Sequence, residues 1–246
     1  MKRILVCLHG WGGTKESFDD LRRELWGSDI EVLAPDLPGF GKEPEPASPY
    51  SVDDYADWVI EWLRKQWSLD SSQWSVYELL GHSHGGRIAI KLVTSRLQTQ
   101  SFQLPAHLYL CASAGIRHPR HFKRIFGLLL AKSGKLFLSI PGIRLLQPLG
   151  KKLLYRLVRV HDYEQASPTM RSTLMKVTRE DLRPLLKKIT IPTDLFWGEE
   201  DGMTPLSDGL VMEREIPGAV LHTYPGVRHR VHRERAKEIA KVIRES

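Results

Sequence analysis

The sequence predicts an α/β fold: a mostly parallel, doubly wound sheet of about six strands with an inserted helical cap. Three observations carry that expectation. Short apolar runs of strand length alternate with longer segments of helical periodicity, the pattern of a parallel sheet covered on both faces. The 246 residues, 41% of them hydrophobic, suffice for one such domain with a full core. One stretch, from about residue 116 to residue 181, breaks the alternation and is far too long for a loop between neighbouring elements.

The first strand is predicted at residues 4–9. The opening Met1-Lys2-Arg3-Ile4-Leu5-Val6-Cys7-Leu8 is too short for a signal peptide and lacks a small-residue cleavage site, so it reads as a buried strand. Further strands are predicted at 31–34, 75–80, 107–111, 193–197 and 219–224, and helices at 15–26, 52–67, 85–96, 206–216 and 231–244. Ser51 supplies an N-cap for the second helix, with Asp53 and Asp54 in its first turn. Trp58 and Trp62, four apart, share the face of that helix that packs on the core. In the anomalous stretch, Phe122, Ile125, Phe126 and Leu129, then Leu153, Leu154, Leu157 and Val158, recur at three- and four-residue spacing. Several helices are therefore expected there. The predicted organisation is a core of residues 1–115 and 182–246 with a cap, or lid, at 116–181.

Composition excludes several classes. No apolar run approaches the ~20 residues of a membrane span. Two cysteines, Cys7 and Cys111, each inside an apolar run, exclude disulfide-dense secreted scaffolds and cysteine-rich zinc modules and make a cytoplasmic protein the expectation. The net charge of +7 is concentrated: residues 115–180 hold 14 Lys and Arg against 3 Asp and Glu, which leaves the remainder of the chain at −4. That segment has no zinc-finger spacing, glycine-aromatic signature or helix-turn-helix pattern, so nucleic acid is not the expected partner. Its charge suits a solvated helical face, contact with an anionic membrane surface, or steering of an acidic substrate.

The chemistry begins at Gly81-His82-Ser83-His84-Gly85-Gly86, which follows a strand and opens a helix. G-x-S-x-G in that setting forms a nucleophile elbow, a tight turn that lifts a serine hydroxyl above the sheet. The flanking positions must lack bulk, and glycine provides that. A serine needs a base, and the base needs an acid to orient it. Asp201 is the expected acid, from Gly198-Glu199-Glu200-Asp201-Gly202 at the end of a strand, with Glu199 and Glu200 as fallbacks. No acid directly follows the preceding strand, which runs into Ala112-Ser113-Ala114-Gly115. His229 is the expected base, returned to the top of the sheet by Pro225-Gly226-Val227-Arg228; His222 lies within a strand and His232 in the final helix.

His9-Gly10-Trp11-Gly12-Gly13 after the first strand is the expected oxyanion loop, with the N–H groups of Trp11 and His84 as its two donors. His9 reads as a support of that loop rather than a catalyst. Arg87 reads as an ion-pair partner at the edge of the core, the alternative being a substrate contact.

Together with the Asp36-Leu37-Pro38-Gly39-Phe40-Gly41 turn, these motifs resemble the α/β-hydrolase superfamily over the whole chain except the detail of the cap. The His-Gly-Trp-Gly variant is similar to small bacterial serine carboxylesterases. The resemblance implies an eight-stranded sheet with a helical cap after the sixth strand. This chain starts at what would be the third strand, so six strands are expected. In that strand order Cys7 and Cys111 lie two strands apart, about 9–10 Å, beyond the ~7 Å reach of a disulfide. The implied function is hydrolysis of carboxylic esters or lactones of small to medium acyl chains through an acyl-enzyme, with Trp11, Phe122, Phe126 and Phe137 lining the substrate pocket.

No cofactor is called for, and no His-x-x-x-His or Cys-x-x-Cys pair offers a metal site. His118 and His121 read as helix surface. Dehalogenases and epoxide hydrolases of the superfamily carry aspartate at the elbow, where this chain has Ser83. Thioester hydrolysis, acyl transfer, C–C bond hydrolysis and perhydrolysis share the same triad. A catalytically silent ligand-binding protein on this fold is the non-enzymatic alternative.

Overall fold

The computed structural model describes residues 2–69, 74–96, 103–117 and 166–246. By contacts the chain divides into two compact units, Met1–Arg117 with Ser172–Ser246, and His118–Arg171. The first unit holds a six-stranded sheet of β1 (Lys2–Leu8), β2 (Ile30–Leu33), β3 (Trp74–His82), β4 (Leu108–Cys111), β5 (Thr193–Gly198) and β6 (Val220–Tyr224). Their order is β2-β1-β3-β4-β5-β6, every pair parallel. The predicted six-stranded α/β architecture is what the chain forms.

Strand periodicity divides the core in two. Ile4, Val6 and Leu8 of β1, Leu79 of β3, Leu108 and Leu110 of β4, and Leu195 and Trp197 of β5 face one side. They pack under α2 (Val52–Leu69), α3 (His84–Lys91) and α6 (Leu206–Glu215). Leu5, Cys7, Leu80, Tyr109, Cys111 and Phe196 face the other side, under α1 (Asp19–Glu24) and α8 (Ala236–Glu245). Both cysteines are buried and free, on strands separated by β3. The chain leaves β1 toward α1 and β2 on one side, then returns past β1 to β3 through α2 on the opposite face. The helix after β1 thus lies on one face and the helix after β3 on the other, the change of direction at whose strand ends α/β sheets bind ligands.

Local signals account for most boundaries. The N–H of Asp54 donates to Ser51 Oγ and the N–H of Ser51 to Asp54 Oδ2, so Ser51 caps α2 as expected. Trp58 and Trp62 pack against the core from that helix. The predicted helix at 85–96 turns to π geometry at Leu92–Arg96, where the Thr94 hydroxyl donates to the Ile90 carbonyl, the acceptor four residues back. The predicted helix at 15–26 begins as a 3₁₀ turn, Lys15–Phe18, whose Lys15 N–H donates to Asp36. The predicted helix at 231–244 is two, α7 (Val231–Glu234) and α8, broken at Arg235, whose φ of −126° and ψ of 32° are not helical. Between β4 and β5 lie α4 (Pro168–Arg179) and α5 (Arg183–Leu186). Among the described residues no helix is long and apolar enough to cross a membrane. Most of the predicted cap, with Phe122, Phe126 and Phe137, lies outside the described residues.

Asp194 on β5 accepts from His107 Nε2 at 2.7 Å and from His222 Nε2 at 2.6 Å, which ties the start of β4 to β6. Burial would raise its carboxyl, but the two imidazoles outweigh burial and hold it at about 2 against an ordinary 3.8. A carboxyl depressed on folding stabilises the fold above its ordinary pKa, and that contribution is lost as pH falls through the folded value. Asp194 should therefore contribute about 2 kcal/mol at pH 5 that disappears between pH 4 and 2. Urea unfolding across that range should give a shallower acid loss for Asp194→Asn than for wild type; parallel curves would contradict the coupling.

Candidate active site

Ser83 sits between β3 and α3 with φ 52° and ψ −110°, a left-handed backbone that side chains with a Cβ seldom adopt. The surrounding structure enforces it. The Ser83 N–H donates to the Cys111 carbonyl at 3.1 Å, and its own carbonyl accepts from Gly86 at 3.1 Å and Ala114 at 3.0 Å. Close approach accounts for the glycines. A Cβ at Gly81 would stand 2.6 Å from the Gly85 carbonyl oxygen, and one at Gly85 would collide with the Leu8 carbonyl. The turn is thus wedged between the ends of β1 and β4, with the serine at its apex.

Two loops converge on Ser83. The Ser83 hydroxyl donates to His229 Nε2 at 3.0 Å, and His229 Nδ1–H donates to Asp201 Oδ2 at 2.7 Å. Gly198 permits this convergence, since a Cβ there would collide with the Val227 and Arg228 carbonyls of the histidine loop. The N–H of Glu200 closes the contact by donating to the Val227 carbonyl at 3.0 Å. Asp201 is buried, and its carboxylate is saturated. Oδ1 accepts from the N–H groups of Met203 at 2.7 Å and Thr204 at 3.1 Å; Oδ2 accepts from His229 and from the Thr204 hydroxyl at 2.8 Å. Four donors fill a carboxylate's lone-pair sites. Burial would raise the Asp201 carboxyl, but these bonds and the His229 ring reverse that and hold it below its ordinary value.

The three predicted residues are therefore one hydrogen-bonded chain at the carboxyl ends of β3, β5 and β6. Such a chain can draw a proton from a serine hydroxyl as the oxygen attacks a carbonyl carbon. Glu199 and Glu200, the fallback acids, are exposed, and Glu199 accepts from Thr223 instead.

The predicted oxyanion loop lies beside this chain. His84 is the first residue of α3, whose opening N–H groups lack intrahelical partners. The Trp11 N–H makes no hydrogen bond among the described residues. The Trp11 indole is half-buried, edge-on to Phe40 at 4.9 Å and to His84 at 5.5 Å. His9 supports the loop: its Nε2 accepts from the Leu37 N–H at 2.9 Å, which leaves the proton on Nδ1 to donate to the Gly10 carbonyl at 2.8 Å. Burial holds its pKa below the ordinary value, in keeping with that neutral ring. Arg87 is buried at the edge of the core, where Nη1 donates to the Glu180 carbonyl and the charges of Glu180, Asp181 and Asp208 surround it.

Sequence reasoning missed Thr204 and quoted Asp36 only as part of a turn motif, without its role. Thr204 lies three residues after Asp201, a spacing at which a hydroxyl and its own N–H both reach one carboxylate. Asp36 accepts from the N–H groups of Lys15 at 2.8 Å and Lys42 at 3.1 Å and so braces the segment that follows the oxyanion loop. Among the described residues no cluster of His, Cys, Asp and Glu could hold a metal.

Fold and site together define an α/β protein with a serine–histidine–aspartate chain at a nucleophile elbow. The chain belongs to the alpha/beta hydrolase family, which it matches over residues 5–242. It is 29% identical to an uncharacterized hydrolase, YugF, of Bacillus subtilis, over 98% of this chain and 89% of that protein. It is 28% identical to a pimeloyl-[acyl-carrier protein] methyl ester esterase of Neisseria meningitidis, over 100% of this chain and 93% of the other. An esterase from Exiguobacterium antarcticum shares the fold with a TM-score of 0.72 at 20% identity, over 99% of this chain and 91% of that one.

The elbow makes a steric prediction. Gly85→Ala should cost about 2–3 kcal/mol because its methyl group meets rigid backbone. Gly218→Ala, at φ 72° with nothing within 4 Å of the new Cβ, should cost only about 1 kcal/mol of backbone strain. Thermal melts of the two variants should separate in that order; equal midpoints would refute the close-packing argument.

Proposed function

We propose that this protein is a serine hydrolase that cleaves carboxylic esters, lactones included, through an acyl-enzyme on Ser83. The observation that carries the reading is the hydrogen-bonded chain Ser83–His229–Asp201, with the first N–H groups of α3 at its serine end. Ser83 Oγ attacks the ester carbonyl carbon as its proton passes to His229 Nε2. The tetrahedral oxyanion takes hydrogen bonds from the N–H groups of Trp11 and His84. His229 then gives its proton to the departing alcohol oxygen, and the acyl group stays on Ser83. A water molecule, deprotonated by His229, attacks that acyl carbon, and the carboxylate leaves with Ser83 restored. Asp201 stays ionised throughout, orienting His229 and balancing its charge. The esterase names of two of the similar proteins support the ester reading.

The acyl pocket in this proposal is walled by Trp11, whose half-buried indole stands against Phe40 and His84 beside the elbow. An apolar wall of this kind is the usual character of ligand pockets. Short to medium unbranched acyl chains on primary alcohols are the expected substrates.

A fluorophosphonate should label Ser83 in wild type and not in Ser83→Ala, whose turnover should fall by about three orders of magnitude or more. On p-nitrophenyl esters, rates should climb with chain length, each accommodated methylene contributing up to ~0.8 kcal/mol, and turn down before sixteen carbons. An active Ser83→Ala enzyme would overturn the assignment. A profile still rising at sixteen carbons, or good turnover of tert-butyl esters, would overturn the pocket.

Thr204 enters the same reading through Asp201. Loss of one hydrogen bond to a carboxylate corresponds to about 1.5 kcal/mol, so Thr204→Val should lower kcat about tenfold with KM within about twofold. Thr204→Ser, which keeps the hydroxyl, should recover most of that loss. Equal kcat values for the Val and Ser variants would exclude the role.

A further inference from the structure

One hydrogen bond outside the Ser83–His229–Asp201 chain joins the elbow to the histidine loop. His82, the last residue of β3, has its ring Nε2 3.0 Å from the main-chain carbonyl of His229, 147 residues away in sequence. A carbonyl only accepts, so Nε2 carries the proton and Nδ1 is bare. That second nitrogen faces the oxyanion loop, since a Cβ on Gly10 would lie 2.9 Å from it. The ring packs on His232 at 3.8 Å between centroids and lies 4.9 Å from the His229 ring. His82 thus touches all three loops of the site: the one after β1, the elbow itself, and the histidine loop.

The histidine loop needs such a tie. It turns through Gly226 at φ 73°, and Pro225, Gly226, Arg228 and Arg230 are exposed. Among the described residues the bond from His82 is the one hydrogen bond that the His229 main chain makes. Asp201 fixes the Nδ1 end of the His229 ring, but the bond to Ser83 depends on where the backbone holds the other end.

We propose that His82 is a positioning residue: its Nε2–H anchors the His229 backbone to the residue adjoining the nucleophile, so that Ser83 Oγ and His229 Nε2 move as one body. This inference rests on the reading of Ser83 and His229 as nucleophile and base. Burial, then the neighbouring His232 and His229, hold the His82 pKa well below its ordinary value. The ring therefore remains a neutral donor and adds no positive charge beside His229 when His229 takes its proton.

Two variants separate the hydrogen bond from the bulk of the ring. His82→Gln places an amide nitrogen near the position of Nε2, whereas His82→Phe fills the space without a donor. His82→Phe should lower kcat about 10- to 100-fold with KM within about twofold, as small displacements of a catalytic group do. Its rate of fluorophosphonate labelling should fall in parallel. His82→Gln should remain within about fivefold of wild type, the span of a single neutral hydrogen bond.

A His82→Phe protein that is labelled and turns over at the wild-type rate overturns the inference alone. A wild-type protein that takes no fluorophosphonate overturns the nucleophile reading and this inference with it. If His82→Phe does not fold, the 15N histidine spectrum of wild type decides. A single neutral Nε2–H form of His82 from pH 5 to 9, its proton protected from exchange, supports the tie. An Nδ1–H form, or a ring that titrates in that range, overturns it.

Discussion

The site depends first on how closely the backbone of the elbow approaches the ends of β1 and β4. Ser83 holds a left-handed conformation that costs on the order of 1–3 kcal/mol for a residue with a Cβ. Main-chain hydrogen bonds with Cys111, Gly86, Arg87 and Ala114 hold it there. Gly81 and Gly85 lie too close to neighbouring backbone to carry side chains. The strained residue is thus embedded between two central strands of the sheet, where the core on both faces opposes relaxation. A serine on a free loop would sample many orientations; this one has its direction set by the sheet. The change of face between β1 and β3 falls at the same place, so the topology at which α/β sheets bind ligands also aims the hydroxyl.

From that fixed point the rest of the site is assembled by loops that touch one another. Gly198 lets the acid loop lie against the carbonyls of Val227 and Arg228, and the Glu200 N–H bonds across that contact. Asp201 reaches His229 only because the two loops are this close. Thr204 ties the acid loop to the end of β4 as well, since its hydroxyl lies 3.0 Å from the Ala112 carbonyl and 2.8 Å from Asp201 Oδ2. Ala112 itself has a φ of 43°, the other non-glycine left-handed residue among those described, and it directly follows β4. Strained backbone is concentrated where β3 and β4 end, beside the candidate nucleophile, as expected of a preorganised site.

This distribution explains what could be read in the sequence. Residues Ile4–Leu8 of β1, Leu108–Cys111 of β4 and Leu195–Trp197 of β5 are continuous apolar runs because a parallel sheet buries both faces, and such runs stand out. Ser83 was legible because its flanking glycines answer a steric demand that leaves almost no other choice. Asp201 and His229 were legible from their position after strands and before helices. The roles of Thr204, Asp36 and His82 carry no such mark. Each is a single polar residue whose role is set by a partner at the far end of a hydrogen bond, and for His82 that partner is 147 residues away. The break at Arg235 and the π turn at Leu92–Arg96 escaped for a related reason. Helical periodicity reports which face is buried, and that face continues across both irregularities.

The same long-range packing decides where a proton can reside. His229 has two other imidazoles close by: His82, its ring centroid 4.9 Å away, and His232, which lies against His82. His84 adjoins the nucleophile on the other side. Burial, as the largest cause, holds His232 and His84 at about 3 and keeps His82 well below its ordinary value. Among the described residues His84 Nε2 and His232 Nδ1 are buried without partners, which a bare ring nitrogen tolerates and a buried cationic N–H does not. His229 differs from all three in facing Asp201, whose four donors keep it an anion even where burial opposes charge. In the proposed reaction, a proton leaving Ser83 has several imidazoles nearby but only one with a carboxylate behind it. The neighbouring rings contribute shape and hydrogen bonds and hold no competing charge, so a histidine-rich site can act through a single base.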